Sequence, residues 1–251
     1  RDYCKRTGLS DMNKVKVVEV DGIGVQLYKS IDIAVQDIFS NYIGTSSSAV
    51  AINPEKIMLA RTQSIVRNVL MNNEIRYPDG IGVVKLLSHK ANTGVARIPG
   101  CELWEAIMKE AGKKNTAVFL VGAKSNTINQ VVNKLSVLYS TNIVGFQDGY
   151  FEDEELLIQK ILNAKAQIVT VALGSPKQEL FIEKCRKAGI DAFFMGVGGT
   201  YDVFTGNVKR APKLFCKLGL EWFYRLLSQP TRILRQKNLL KFLWLSLNHK
   251  L

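Results

Sequence analysis

The chain has 251 residues, is 47% hydrophobic and carries a net charge of +12. That length suits one large α/β domain, or one domain plus an appendage, and the apolar content is ordinary for a globular protein. The four cysteines (Cys4, Cys101, Cys185, Cys216) show neither close pairing nor metal-type spacing, and His89 and His249 lie far apart, which argues against a disulfide framework and against a structural zinc site.

The charge is unevenly placed. From Thr205 to Leu251 there are ten Lys or Arg residues against one acid, Glu221, whereas the first 204 residues carry only +3. A nearly balanced body with a basic tail points to an anionic partner: nucleic acid, a phosphorylated substrate or an anionic membrane surface. No signal-peptide pattern and no uninterrupted apolar run of about 18 residues occurs, so the expectation is a cytoplasmic body without a membrane span.

Val15 to Tyr28 alternates loosely around Asp21-Gly22-Ile23-Gly24 and predicts strand, turn, strand. Ser30 is placed to cap a helix running to about Ser40, with Ile31, Val35, Ile38 and Phe39 inward. Ala49–Ile52 is a short buried strand ending at Asn53, and Pro54 suits the first position of a helix reaching Met71. Ile75–Tyr77 is a brief extended piece leading into Pro78-Asp79-Gly80-Ile81-Gly82, with a helix from Val83. Arg97–Gly100 is a loop and Glu102–Ala111 a helix.

From Thr116 strands and helices alternate. Strands are predicted over Ala117–Val121 (ending at Gly122), Asn142–Gly145, Gln167–Leu173 and Ala192–Val197; helices begin at Ser125 and cover Glu152–Asn163 and Lys177–Ala188. Ser175 reads as the cap of that last helix, with Pro176 at its first position. Continuous apolar strands alternating with helices predict a parallel sheet with helices on both faces, a Rossmann-like α/β fold.

From about Ala211 the tail reads as two or three amphipathic helices. Phe215, Leu218, Trp222 and Leu226, then Ile233, Leu240, Leu243, Trp244 and Leu247, recur at helical spacing, with Arg232, Arg235, Lys237 and Lys241 between them. This is too short and too charged to span a bilayer and reads as an interfacial segment. The alternative is a helical pair packed on the body with a solvated basic face. The expected division is residues 1–204 as body and 205–251 as basic appendage, with truncation after Lys209 leaving the body folded.

The stretch Gly196 to Pro212 organises the rest. Gly196, Gly198 and Gly199 leave the backbone bare where a strand ends, the place where open α/β sheets bind ligands, and bare N–H groups there suit a diphosphate. A tight turn needing positive φ is the plainer account of the same glycines. Asp202, Lys209 and Arg210 beside them favour a site. Asp79, in a Pro-Asp-Gly loop, is a candidate general base for a hydroxyl, although Pro-Asp-Gly is also an ordinary turn. Asn53, Asp79 and Arg97 all fall at the ends of apolar segments, which suggests one shared crevice. Gln178 is not needed for capping and is free to reach a nucleotide or sugar hydroxyl. No Gly-x-Gly-x-x-Gly, no Walker motif and no Asp-x-Asp occurs. A departing diphosphate would then rely on cations and helix N-termini, and the tail supplies Lys209, Arg210, Arg225, Arg232 and Arg235.

Taken together, several stretches resemble one bacterial group. They are Ala51 to Lys56, Tyr77 to Val84, Phe119 to Gly122, Gln147 to Phe151, Gly174 to Glu179 and Gly196 to Pro212. With them the chain, from about Val15 onward, is similar to the WecG/TagA/CpsF family of N-acetylmannosaminyl and N-acetylmannosaminuronyl transferases. Gly219 to Pro230 resembles its enterobacterial branch. That resemblance implies an inverting, metal-independent transferase with no cofactor. It moves N-acetylmannosaminuronic acid from UDP to undecaprenyl-diphosphate-linked GlcNAc, for enterobacterial common antigen, at the inner leaflet of the cytoplasmic membrane. It further implies catalytic roles for Asp79 (base), Asn53 (positioning) and Arg97 (phosphate or sugar carboxylate). Substrate contacts are implied for Gly122, Tyr150, Gly174, Gln178, Gly198, Gly199, Asp202, Arg225, Arg232 and Arg235. Ala51 departs from the threonine common in the teichoic-acid branch, which weakens the transfer of that branch's donor preference. Homo-oligomerisation stays open and no nucleic acid is expected. The competing readings are a neutral N-acetylmannosamine donor, an NAD(P)-dependent oxidoreductase, opposed by the missing glycine fingerprint, and a salt-sensitive nucleic-acid binder.

Overall fold

The computed structural model describes residues 15–208, 233–248 and 250–251, and the side chains of residues 233–237 lie outside that description. Strands β1 (Val17–Val20) and β2 (Ile23–Gln26) form an antiparallel hairpin. Asp21 and Gly22 make its turn at φ 54° and 71°, the positive pair whose twist matches that of the flanking strands.

Among the described residues six further strands build the main sheet: β3 (Ser47–Ile52), β4 (Ile75–Pro78), β5 (Val118–Gly122), β6 (Ile143–Gln147), β7 (Ile168–Ala172) and β8 (Phe193–Gly196). All neighbours are parallel, in the order β4-β3-β8-β7-β5-β6. The described strand latest in sequence, β8, therefore lies between β7 and β3.

Helices cover both faces. On one, α1 (Ile31–Asn41), α5 (Gly100–Lys113), α6 (Ser125–Tyr139) and α9 (Thr200–Thr205) bury Ile38, Trp104, Leu135 and Tyr201 against Leu120 and Phe193. On the other, α7 (Glu154–Asn163) and α8 (Lys177–Lys187) pack over β5, β7 and β8. There too α2 (Pro54–Thr62), α3 (Ser64–Met71), α4 (Ile81–Ala91), the hairpin and α10 (Ile233–Leu247) gather around Val50 and Ile52 of β3. The fold is Rossmann-like, as the alternation of strands and helices predicts. Within α10, Phe242 and Leu245 are buried in the cluster shared with α2.

Three local expectations change. The single helix from Pro54 to Met71 is two, broken at Gln63 in extended backbone (φ −130°, ψ 106°). Its buried sets, Ile57, Met58 and Ala60, then Val66, Val69 and Leu70, lie about half a turn apart on a straight helix, so the break lets both face the core. Strand β3 begins at Ser47 rather than Ala49. Ser47 and Ser48 are buried because their hydroxyls reach Tyr42 O (3.1 Å) and the Glu74–Arg186 pair. Ser175 does not cap α8: Pro176 holds that position and no described side chain makes a capping bond there. Ser30 does cap α1, accepting from the Ile33 N–H at 3.2 Å.

Candidate functional site

Parallel strands end at one edge, so the loops after β3, β4, β5, β6, β7 and β8 collect there. The crossover after β5 leads to α6 on one face and that after β7 leads to α8 on the opposite face. Such a switch opens a crevice at the carboxyl ends of the strands. Gly122 and Gly174 flank it. Gly122 has φ 108°, and a Cβ there would meet Ala172 O at 2.5 Å, so only glycine allows β5 to end this close to β7. The Ala123 carbonyl then receives the Gly149 N–H at 2.8 Å, tying in the loop after β6. On that loop Tyr150 is 72% exposed, its N–H held by Asp148 Oδ1 at 3.1 Å.

Asn53, Asp79 and Arg97 are brought together at the β3–β4 end. The Asp79 N–H donates to Ile52 O at 3.0 Å. Arg97 Nε donates to the Asp79 carbonyl and Arg97 Nη2 meets Asp79 Oδ1 at 3.2 Å. The pairing follows from backbone geometry, because the Ile98 N–H is fixed on Pro78 O at 2.8 Å. A Cβ on Gly80 would meet Pro54 Cδ at 2.6 Å and Asn53 Cβ at 3.2 Å, so these two loops lie in contact. Asn53 Oδ1 caps α2 by accepting from the Lys56 N–H at 2.9 Å. The first residue of α5, Gly100, would place a Cβ 3.8 Å from Asp79 Oδ2, so the carboxylate lies near the electropositive end of that helix. Tyr77 is buried beneath it. Burial first, and the Asp79 charge next, hold its phenol well above the ordinary tyrosine range, so it remains neutral at physiological pH.

Gln178, Gly198, Gly199 and Asp202 occupy the β7–β8 end. Gln178 is buried in the first turn of α8, and its Oε1 accepts from the Gly198 N–H at 3.0 Å. That N–H is therefore engaged within the protein. Gly199 precedes α9, and no atom of the described residues lies within 4 Å of where its Cβ would stand. Asp202 Oδ1 accepts from the Thr127 hydroxyl at 3.2 Å, joining α9 to α6.

Two residues with no assigned role in the sequence reading link these ends. Lys56 of α2 and Glu179 of α8 form an ion pair at 3.1 Å, with side-chain exposures of 15% and 5%. Their separation of 123 positions hides the pair from any local pattern; polar residues in a first helical turn read as solvent-facing. Of the predicted tail residues, Lys209, Arg210, Arg225 and Arg232 lie outside the described residues, and Arg235 is described only as backbone of α10.

The described part of the tail has two faces. Phe242 and Leu245 turn inward, whereas Leu240, Leu243, Trp244 and Leu247 are exposed, Trp244 by 56% and Leu247 by 80%. Lys250 Nζ lies 5.0 Å from the Trp244 ring centre. No described helix is long and apolar enough to cross a membrane. Among the described residues no group of three or more His, Cys, Asp or Glu side chains is placed to hold a metal ion.

The model of the glycosyl transferase WecG/TagA/CpsF family matches residues 16–251, nearly the whole sequence. A Rossmann-like sheet, a carboxylate fixed at its carboxyl edge and this match agree: the chain belongs to the WecG/TagA/CpsF family and is an enzyme that transfers a sugar.

Proposed function

We propose that the enzyme transfers N-acetylmannosaminuronic acid from UDP to an undecaprenyl-diphosphate-linked GlcNAc by one inverting displacement. The observation that carries this reading is Asp79: a partly exposed carboxylate held by Arg97, beside Asn53, at the edge where such sheets bind ligands. The acceptor hydroxyl gives its proton to the Asp79 carboxylate as its oxygen attacks the anomeric carbon, and the bond to UDP breaks. Arg97 orients that carboxylate. Asn53 Oδ1 is spent on capping, which leaves the amide nitrogen to position a sugar. Gly122, Gly174, Gly199 and Tyr150 shape the donor side of the crevice, with Asp202 bracing its α9 wall. Arg225, Arg232 and Arg235 supply cations for the diphosphate, and no metal is required.

The test is UDP release with a prenyl-diphosphate-GlcNAc analogue, comparing UDP-N-acetylmannosaminuronate with UDP-N-acetylmannosamine, with and without chelator. Preference for the uronate, unchanged by chelator, is expected. Preference for the neutral sugar would move the enzyme to a teichoic-acid-like or capsular pathway, and loss of activity on chelation would end the metal-free account.

The acceptor reading also assigns a role to α10. Leu240, Leu243, Trp244 and Leu247 recur at i, i+3, i+4 and i+7 on its outer face, with Lys241 and Lys250 nearby. A stripe of that kind on a basic tail suits the inner leaflet of an anionic membrane. Trp244→Glu with Leu247→Glu is expected to cut binding to anionic phospholipid vesicles by about tenfold or more, measured by co-sedimentation, with the melting temperature little changed because both side chains are exposed. Unchanged sedimentation would remove the stripe from that role.

A further inference from the structure

The first turn of α8 buries two successive polar residues, Gln178 and Glu179. Both ends of the Gln178 amide are engaged: Oε1 accepts from the Gly198 N–H at 3.0 Å and Nε2 donates to Glu179 Oε1 at 3.2 Å. The same Glu179 oxygen receives Lys56 Nζ at 3.1 Å. Lys56 lies in the first turn of α2, which Asn53 caps. A continuous path of polar contacts thus runs from the loop after β3 to the loop after β8. Gly196 makes room for it, since a Cβ there would stand 2.6 Å from Gln178 Nε2.

We infer that Gln178, Glu179 and Lys56 form a positioning relay that sets the Gly198 peptide, and with it the β8–α9 loop, in fixed relation to Asn53. The inference rests on the glycosyl-transfer reading for the ligand that the loop receives, a nucleoside diphosphate. In this arrangement Gln178 acts on the donor only through Gly198. The chemistry explains each residue type. An amide accepts from an N–H at one end and donates to a carboxylate at the other without carrying charge. A glutamate at position 178 would set two carboxylates side by side. Glu179 Oε2 has no hydrogen-bond partner among the described residues, so the buried carboxylate depends on what reaches Oε1. Removing Lys56 would leave it as an uncompensated buried charge.

Hydrogen exchange of the ligand-free enzyme, read on peptides covering residues 196–201, separates positioning from direct contact. Gln178→Ala and Gly196→Ala are each expected to speed exchange at Gly198 by about tenfold or more. Both should also raise the donor KM about tenfold with a smaller change in kcat, the mark of impaired donor binding. The double variant should be no worse than Gln178→Ala alone, because the clash and the clasp disappear together. Lys56→Met should reproduce the faster exchange, and Lys56→Met with Glu179→Gln should recover most of the loss, because that pair buries no charge. This neutral pair keeps the test sound if a single variant folds poorly. Unchanged exchange in Gln178→Ala, with a raised donor KM, would make Gln178 a direct ligand and overturn the relay. Faster exchange in an enzyme whose wild type releases no UDP from any donor would uphold the relay and fail the substrate reading instead.

Discussion

Asp79→Asn is expected to lower turnover by roughly 10²–10⁴-fold, the range lost with a positioned general base, while UDP affinity and melting temperature stay near wild type. Asparagine keeps the shape and an oxygen for Arg97 Nη2, and the backbone bonds to Ile52 and Arg97 do not involve the side chain. What disappears is the capacity to take a proton from the acceptor hydroxyl. Steady-state UDP release, UDP titration by calorimetry and a thermal melt read the three quantities separately. Near-normal turnover would remove Asp79 from the role of base. A large fall in UDP affinity would place it in the donor pocket.

Phe242→Ala is expected to cost about 3–5 kcal/mol of folding stability, the usual penalty for truncating a buried phenylalanine. The side chain is fully buried, in the cluster to which α2, α4 and the hairpin also contribute. Its ring edge comes within 3.3 Å of where a Cβ on Gly82 would stand, and Pro54 Cγ lies 3.2 Å from that same point. Those residues belong to the two helices whose starts carry Asn53 and Asp79. Urea unfolding measures the loss, and a change below about 1 kcal/mol would show that the site collapses around the missing ring. The same burial bears on truncation after Lys209, which the sequence reading expects to leave the body intact. Removing α10 uncovers the cluster around Ile57, Val83 and Leu87, so the truncated body is expected to unfold at lower urea than the full chain.

The order of elements from Thr116 to Val197 was legible because each buried strand is predominantly apolar, broken only by Thr170 in β7, and each helix between them is long enough to show its period. The Asp79 loop was legible from Pro-Asp-Gly at the end of a brief extended piece, although Arg76 interrupts its apolar residues. The break at Gln63 was not: no proline or glycine marks it, and only the phase of the buried residues on either side betrays it. Ser47 and Ser48 were hidden for the opposite reason, since buried hydroxyls look like loop. Sequence spacing placed Gln178 at a helix start but could not tell inward from outward there. Its inward turn depends on Gly196, 18 positions later, leaving space on a neighbouring strand. The relay with Lys56 is still less local, because α2 and α8 meet only after the sheet has closed.

Strand order has a consequence for how the molecule is put together. Strands β3 and β4 pair with each other, and β5, β6 and β7 pair among themselves, but among the described strands the two groups share no ladder except through β8. Ala49 of β3 meets Met195 of β8 across 146 positions of chain. During synthesis two half-sheets can therefore exist before the strand that joins them has been made. Each half offers a bare apolar edge to other nascent chains until β8 is inserted. Substitutions in Phe193, Phe194 or Met195 should thus act first on yield, by slowing that insertion and favouring aggregation, before they are felt as weakened substrate binding in the molecules that mature.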